Sequence, residues 1–190
     1  MGRVLWTTTM SLDGFIAGPD DAMGWVFEFE SNDSGSVQEM IRTTGALLAG
    51  RRTHDAGRKE DQVEQAKAPF GGAWSGPIFV LTHRPPESTE DEAITYLSGD
   101  VRRAVARATE AAGSKDVLVL GADVARQCLE EGLMDEVVVH LVPVLLGDGV
   151  RLYGGPAGRR VDLELVSAVV SGQVTELRFR VVKATSGGEG

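Results

Sequence analysis

Apolar and polar positions change their period several times along the chain, and each change marks an element. Residues 4–10 form a β-branched and apolar run stopped by Asp13-Gly14, a first strand followed by a turn. Residues 14–25 read as a loop through Gly18-Pro19-Asp20-Asp21. Val37, Met40 and Ile41 recur at helical spacing, which predicts a helix over 34–44 capped by Asp33 or Ser34. Residues 46–49 form a short buried strand broken by Gly50, and strands follow at 78–81 and 94–97. Val101, Ala104, Val105 and Ala108 share one face of a helix over 100–112, ended by Gly113. A strand over 116–120 meets Gly121, a helix over 124–131 ends at Gly132, and a strand runs over 137–142. After a loop over 143–149, residues 163–170 and 174–182 predict a hairpin about Gly172.

Strands alternating with helices, then a hairpin, predict an α/β fold with a mostly parallel central sheet, flanking helices and an antiparallel edge. With 190 residues and 42% apolar composition, the chain suits one domain over 1–185 and a flexible tail over 186–190. A net charge of −9 argues against nucleic acid or anionic membrane as partner, so an anion must be held by locally clustered bases. The single cysteine, Cys128, excludes an internal disulfide and a Cys-rich zinc site and suits a reducing compartment. No signal peptide and no apolar run of about 20 residues is evident, so a cytoplasmic protein is expected.

In an open α/β sheet, ligands bind beyond the carboxyl ends of the parallel strands. Three such ends here carry phosphate chemistry. Gly50-Arg51-Arg52-Thr53 combines a glycine for close approach, a helix start with free N–H groups, a hydroxyl and two guanidinium forks. The other reading is a solvated arginine pair on a helix start. Leu81-Thr82-His83-Arg84 is either a second phosphate site or a polar turn ahead of Pro85-Pro86. Leu120-Gly121-Ala122-Asp123-Val124 offers a glycine turn to a pyrophosphate, or is a tight strand-to-helix connection with Asp123 as cap. Three such turns at like ends of strands together point to an extended dinucleotide.

The remaining chemistry is sparse. His54, His83 and His140 have no metal-ligand spacing, so no metal is expected. There is no G-x-S-x-G elbow and no G-x-x-x-x-G-K-[ST] loop, which removes support for acyl transfer and nucleoside triphosphate hydrolysis. Cys128 falls on an apolar helix face and reads as core.

Thr9-Met10-Ser11-Leu12-Asp13-Gly14, Gly50-Arg51-Arg52-Thr53, Leu81-Thr82-His83-Arg84, Leu120-Gly121-Ala122 and Asp135-Glu136 leading to Pro143-Val144-Leu145-Leu146-Gly147 resemble, in that order, one family. It is the C-terminal reductase domain of the bifunctional riboflavin-biosynthesis deaminase-reductase (RibD), within the dihydrofolate reductase superfamily. The resemblance runs from Arg3 to about Val182. It implies a dihydrofolate-reductase-like fold and NADPH as cofactor, with the nicotinamide beside Thr9, Ile16 and the loop at Asp21 and Ala22. The pyrophosphate would lie between the helix starts at Arg51-Thr53 and Ala122-Val124, and the adenosine 2'-phosphate near Arg51, Arg52 and Arg84. Asp21-Ala22-Met23-Gly24-Trp25 resembles the mobile loop that closes over the nicotinamide and excludes water.

This sequence departs from the family in two places. The H-x-E and P-C-x-x-C motifs of a zinc deaminase are not in it, and Leu120 with a single glycine stands where the reductase carries an acid before paired glycines. The expected reaction is hydride transfer from NADPH to C=N or C=O of a small heterocycle, similar to reduction of 5-amino-6-(5-phosphoribosylamino)uracil. Asp13, Trp25, Glu30 and His140 are the candidate lining residues. His140 reads either as a satisfied core histidine or as a proton donor. The rival readings are a dihydrofolate reductase, with Glu28 or Glu30 as the pterin-binding acid, and a noncatalytic NADPH-binding module. A homodimer is expected, pairing through residues 174–182 as the edge strand.

Overall fold

The apolar runs become strands because alternate residues can be buried on two opposite faces of one sheet. The computed structural model describes residues 2–29, 35–59, 68–87, 91–154 and 159–183. Its elements in chain order are β1 (Val4–Ser11), β2 (Phe15–Ala17), α1 (Gly35–Thr43), β3 (Thr44–Gly50), α2 (Arg51–Ala56), β4 (Ile78–Leu81) and β5 (Ile94–Leu97). They continue with α3 (Val101–Ala112), β6 (Asp116–Leu120), α4 (Ala122–Glu130), β7 (Glu136–Val142), β8 (Val150–Arg151), β9 (Leu163–Ser171) and β10 (Val174–Val181). The main sheet is ordered β5-β4-β3-β6-β1-β7-β10-β9. Pairing is parallel from β5 through β7 and antiparallel from β7 to β10 and β9. This is the α/β class expected, a mostly parallel sheet with flanking helices and a terminal hairpin.

The period of two divides the core. Val4, Trp6, Leu48, Val117, Val119, Val137 and Val139 pack on one face against Val101, Ala104, Val105 and Ala108 of α3 and Val124, Ala125 and Cys128 of α4. Leu5, Leu47, Leu118 and Val138 face the other way and meet Met40 of α1 and Trp74. Cys128 is therefore core, and burial pushes its thiol up to about 12. Asp100 caps α3 by accepting a hydrogen bond from the Arg103 N–H at 2.9 Å.

Several expectations are corrected. The strand over 174–182 is not the sheet edge: β10 lies between β7 and β9, so the exposed edge is β9. A hairpin returning to pair with β7 must leave its first strand outermost. The region expected as loop after Gly14 contains β2, which pairs antiparallel with β8. These are short segments far apart in sequence, so no local period announces them. Helix α4 starts at Ala122, two residues earlier than its apolar pattern suggests, because Gly121 at φ 88 turns the chain directly into it. The cap expected at Asp33 or Ser34 and the tail over 186–190 lie outside the described residues. None of the helices of the described residues is long and apolar enough to cross a membrane.

Candidate functional site

All the parallel strands end at one edge of the sheet, and their ends open into a cavity of about 660 Å3. The volume falls in the range of about 300–1,000 Å3 usual for small-molecule sites. Thr9, Ile16, Asp21, Gly50, Arg51, Arg52, Thr53, Leu81, Thr82, His83, Gly121, Ala122, Asp123, Val124 and His140 all line it. Of the residues expected near the ligand, Ala22, Arg84, Asp13 and Trp25 do not line it, and Glu30 lies outside the described residues.

The two helix-start turns meet where they line the cavity. A Cβ on Gly121 would collide with the Thr53 hydroxyl, and one on Gly50 would come within 3.2 Å of Val124. Both glycines are helix caps without a side-chain hydrogen bond, so the first N–H groups of α2 and α4 have no side-chain cap. Backbone donors and guanidinium groups therefore share one side of the cavity, the arrangement an anion needs. Asp123, expected as a cap, instead sits in the first turn of α4 and binds Arg126 and Gln127 at 3.0 and 2.9 Å.

Carboxylates organise the arginines of that cradle. Arg51 donates to Asp55 at 2.6 Å, and its guanidinium lies 5.4 Å from the Tyr96 ring. Burial pushes Asp55 up, but hydrogen bonds from Arg51 and His54 and their charge outweigh it and leave its carboxyl below the usual range. Arg52 reaches across to Asp21 at 2.7 Å, and Lys59 stands 3.6 Å from the same carboxylate. Asp21 belongs to the loop that resembles a mobile lid, so this ion pair ties loop to cradle. Asp20 and Asp21 both have positive φ, 56 and 64, a left-handed backbone that such side chains tolerate at a cost of roughly 1–3 kcal/mol each.

Asp13 has a different task from the one expected. It accepts hydrogen bonds from the Ser11 hydroxyl at 2.6 Å, Leu146 N–H at 3.1 Å and Gly147 N–H at 2.7 Å. The Ser11 bond, against the opposing effect of burial and with the two N–H groups, lowers its carboxyl to about 2. The carboxylate thereby clamps the loop after β7 to the turn after β1. Trp25 donates its indole N–H to the Ala22 carbonyl at 3.2 Å, folding the loop on itself. Arg84 is exposed, its backbone N–H turned to the Thr82 hydroxyl at 3.2 Å.

His54 and Phe70 also line the cavity, and the residue pattern does not single them out. The His54 ring is 8% exposed, 3.1 Å from Asp55 through Nδ1 and edge-on to Tyr96 at 5.7 Å. Its place, one residue past Thr53 and three past Arg51, is the signal that would have found it.

Comparison with known proteins places this geometry. The RibD C-terminal domain model matches residues 73–177, more than half of the chain. The uncharacterized protein YwjB of Bacillus subtilis is 26% identical over 170 residues, spanning 90% of this chain and 92% of that one. A putative riboflavin biosynthesis protein from Shewanella has the same fold, with a TM-score of 0.78 at 22% identity over 96% of this chain and 99% of its own. Dihydrofolate reductase of Enterococcus faecalis, complexed with NADP(H) and RAB-propyl, superposes with a TM-score of 0.62 at 15% identity, over 95% of this chain and 96% of its own. Family and fold are those of reductases, and the chain belongs to the RibD C-terminal domain family.

Proposed function

We propose that the protein is a cytoplasmic NADPH-dependent reductase that delivers a hydride to C=N or C=O of a small heterocyclic substrate. The observation that carries this reading is the close approach of Gly121 to Thr53, which brings two uncapped helix starts and Arg51 and Arg52 to one wall of the cavity. That cradle fits a dinucleotide: the N–H groups and Thr53 suit its pyrophosphate, and the arginines suit an additional phosphate monoester.

NADPH, when bound, supplies the hydride. The chain's own residues do the rest. Thr9 and Ile16 border the space for the reacting ring, and Asp21 and Met23 of the loop border it from the outside. Arg51 and Arg52, held in this structure by Asp55 and Asp21, would hold the phosphates, and Met23 of the loop would help to exclude water from the cavity. His140, which also lines the cavity, would border the substrate. The substrate class we propose is a pyrimidine similar to 5-amino-6-(5-phosphoribosylamino)uracil, in keeping with the family. Leu120 puts an apolar side chain where the family carries an acid, so the pyrimidine must be read by other groups. Incubating the protein with NADPH and either this pyrimidine or dihydrofolate, and following loss of NADPH absorbance, tests the reading. Oxidation that depends on one of them supports it, and NADPH bound without oxidation across a panel of such heterocycles favours a noncatalytic binding module.

The assembly we propose is a homodimer joined through β9. Leu165, Val169 and Val170 are 58, 53 and 72% exposed along this unpaired edge, an apolar surface that a second copy would cover. Sedimentation that shows only monomer at micromolar concentration removes the dimer.

A further inference from the structure

Arg51 and Arg52 both line the cavity, yet they are held in different ways. Arg52 turns its Nε and Nη2 on one carboxylate oxygen of Asp21, at 2.8 and 2.7 Å, and its side chain is 72% exposed. Arg51 gives only its Nε, to Asp55 Oδ2 at 2.6 Å, and its side chain is 42% exposed. Among the described residues no hydrogen bond engages either Nη group of Arg51. A guanidinium presents these groups as a fork that matches two oxygens of a phosphate.

Arg51 belongs to a cluster of four side chains. The other oxygen of Asp55, Oδ1, is 3.1 Å from His54 Nδ1. A carboxylate only accepts, so Nδ1 carries a proton and donates it. Burial pushes the Asp55 carboxyl up, but the hydrogen bonds of Arg51 and His54 and their charge leave it below the usual range, so it remains charged. With a donor on each oxygen, the carboxylate is fixed in rotation. Tyr96 of β5 packs against both neighbours: the Arg51 guanidinium lies 5.4 Å from its ring, and the His54 ring meets it edge-on at 5.7 Å.

His54 carries a second observation. Its side chain is 8% exposed, and its Nε2 is buried without a hydrogen-bond partner. Such an atom costs about 1–3 kcal/mol, which a phenyl ring in the same place would avoid. What the imidazole offers here and a phenyl lacks is the Nδ1–H on Asp55.

We propose that His54 is the positioning residue for Arg51: its Nδ1–H fixes the Asp55 carboxylate, which together with the Tyr96 ring aims the free Nη fork of Arg51 at a phosphate monoester of the ligand. This rests on the dinucleotide reading and names the groups that would separate NADPH from NADH. Arg52, exposed and committed to Asp21, adds charge without that fixed direction.

The test has two arms. H54F keeps a ring against Tyr96 and removes the N–H, whereas H54N puts an amide N–H where Nδ1 stands. In the free protein, 1H–15N NMR of the arginine Nε–H groups reports how fast that of Arg51 exchanges with solvent. Exchange about 5-fold or more faster in H54F, and close to the wild-type rate in H54N, is expected. Equal exchange in wild type and H54F overturns the proposal. In fluorescence titrations, H54F weakens NADPH about 5- to 10-fold and leaves NADH within about 2-fold, and H54N restores the preference. Equal weakening of the two dinucleotides, or an H54N no better than H54F, overturns it. Where H54F has lost the wild-type melting profile, D55A, at a half-exposed carboxylate, takes its place in both arms with the same expected losses. Wild-type exchange and preference in D55A overturn the proposal. A protein in which H54F frees the Arg51 Nε–H but which binds no NADPH contradicts the dinucleotide reading and leaves the cluster's hold on Arg51 standing.

Discussion

The two ends of the main sheet obey different rules. From β5 to β1 the strands are parallel, with helices on one face and α1 and Trp74 on the other, so successive residues of β3 and β6 are buried: Ala46, Leu47, Leu48, Val117, Leu118 and Val119 are each at or below 1% exposure. From β7 to β9 the sheet turns antiparallel, and β9 leaves apolar side chains in water. Parallel pairing needs a crossover between strands, so each strand end delivers a turn to the same edge, and those turns line the cavity. The hairpin delivers no such turn. None of its described residues lines the cavity, and its outer strand is an edge that another molecule can cover.

Substitutions at the two ends should therefore differ in kind. The largest effect is expected for G121A, in which a Cβ meets the Thr53 hydroxyl at a glycine of φ 88. NADPH binding should weaken about 100-fold or more, since the two helix starts proposed to hold its phosphates are pushed apart, each good for roughly 1–3 kcal/mol. Fluorescence titration measures it. In the same parallel region L118A, at a side chain 0% exposed, should lower stability by about 2–5 kcal/mol in urea unfolding. R52Q removes one ionic partner of phosphate and of Asp21 and should weaken NADPH about 10-fold, an effect that shrinks as salt is raised. At the hairpin, V170T at a 72% exposed site should change monomer stability by less than about 0.5 kcal/mol. A large loss of stability there, dependent on protein concentration, would show the edge covered by a second copy.

Between the two regions stands the Asp13 clamp, which responds to pH. Its folded carboxyl is lowered to about 2 from an ordinary 3.8, so the unfolded chain takes up the proton first. The stabilisation is complete above the ordinary value and is lost as pH falls from there toward about 2. Urea unfolding from neutral pH downward should show this loss in the wild type, and D13N should remove that part of the pH dependence. Equal slopes in the two proteins would show that the clamp carries no linkage.

The same contrast decides which features are legible in the amino-acid pattern alone. Strands β1, β3, β4, β6 and β7 announce themselves because burial on both faces demands continuous apolar runs, and the cavity-lining turns because glycine or arginine follows those runs at once. The sheet edge cannot be assigned that way. Residues 163–170 and 174–182 are similar in composition, and only pairing with β7 decides which is outermost. The β2–β8 pairing and the clamp from Asp13 to Gly147 join residues more than a hundred positions apart, beyond any local period. Asp13 reads as a lining residue because it follows the first strand, yet three hydrogen bonds hold its carboxylate at the loop after β7.

The central claim is that the two helix-start turns with Arg51 and Arg52 hold the phosphates of NADPH. Titrating the purified chain with NADPH and with NADH, following protein fluorescence, tests it most directly. The account predicts saturable binding of NADPH, weaker binding of NADH, and loss of that preference in R51Q/R52Q. Equal binding of the two dinucleotides, or no saturable binding of NADPH, contradicts it.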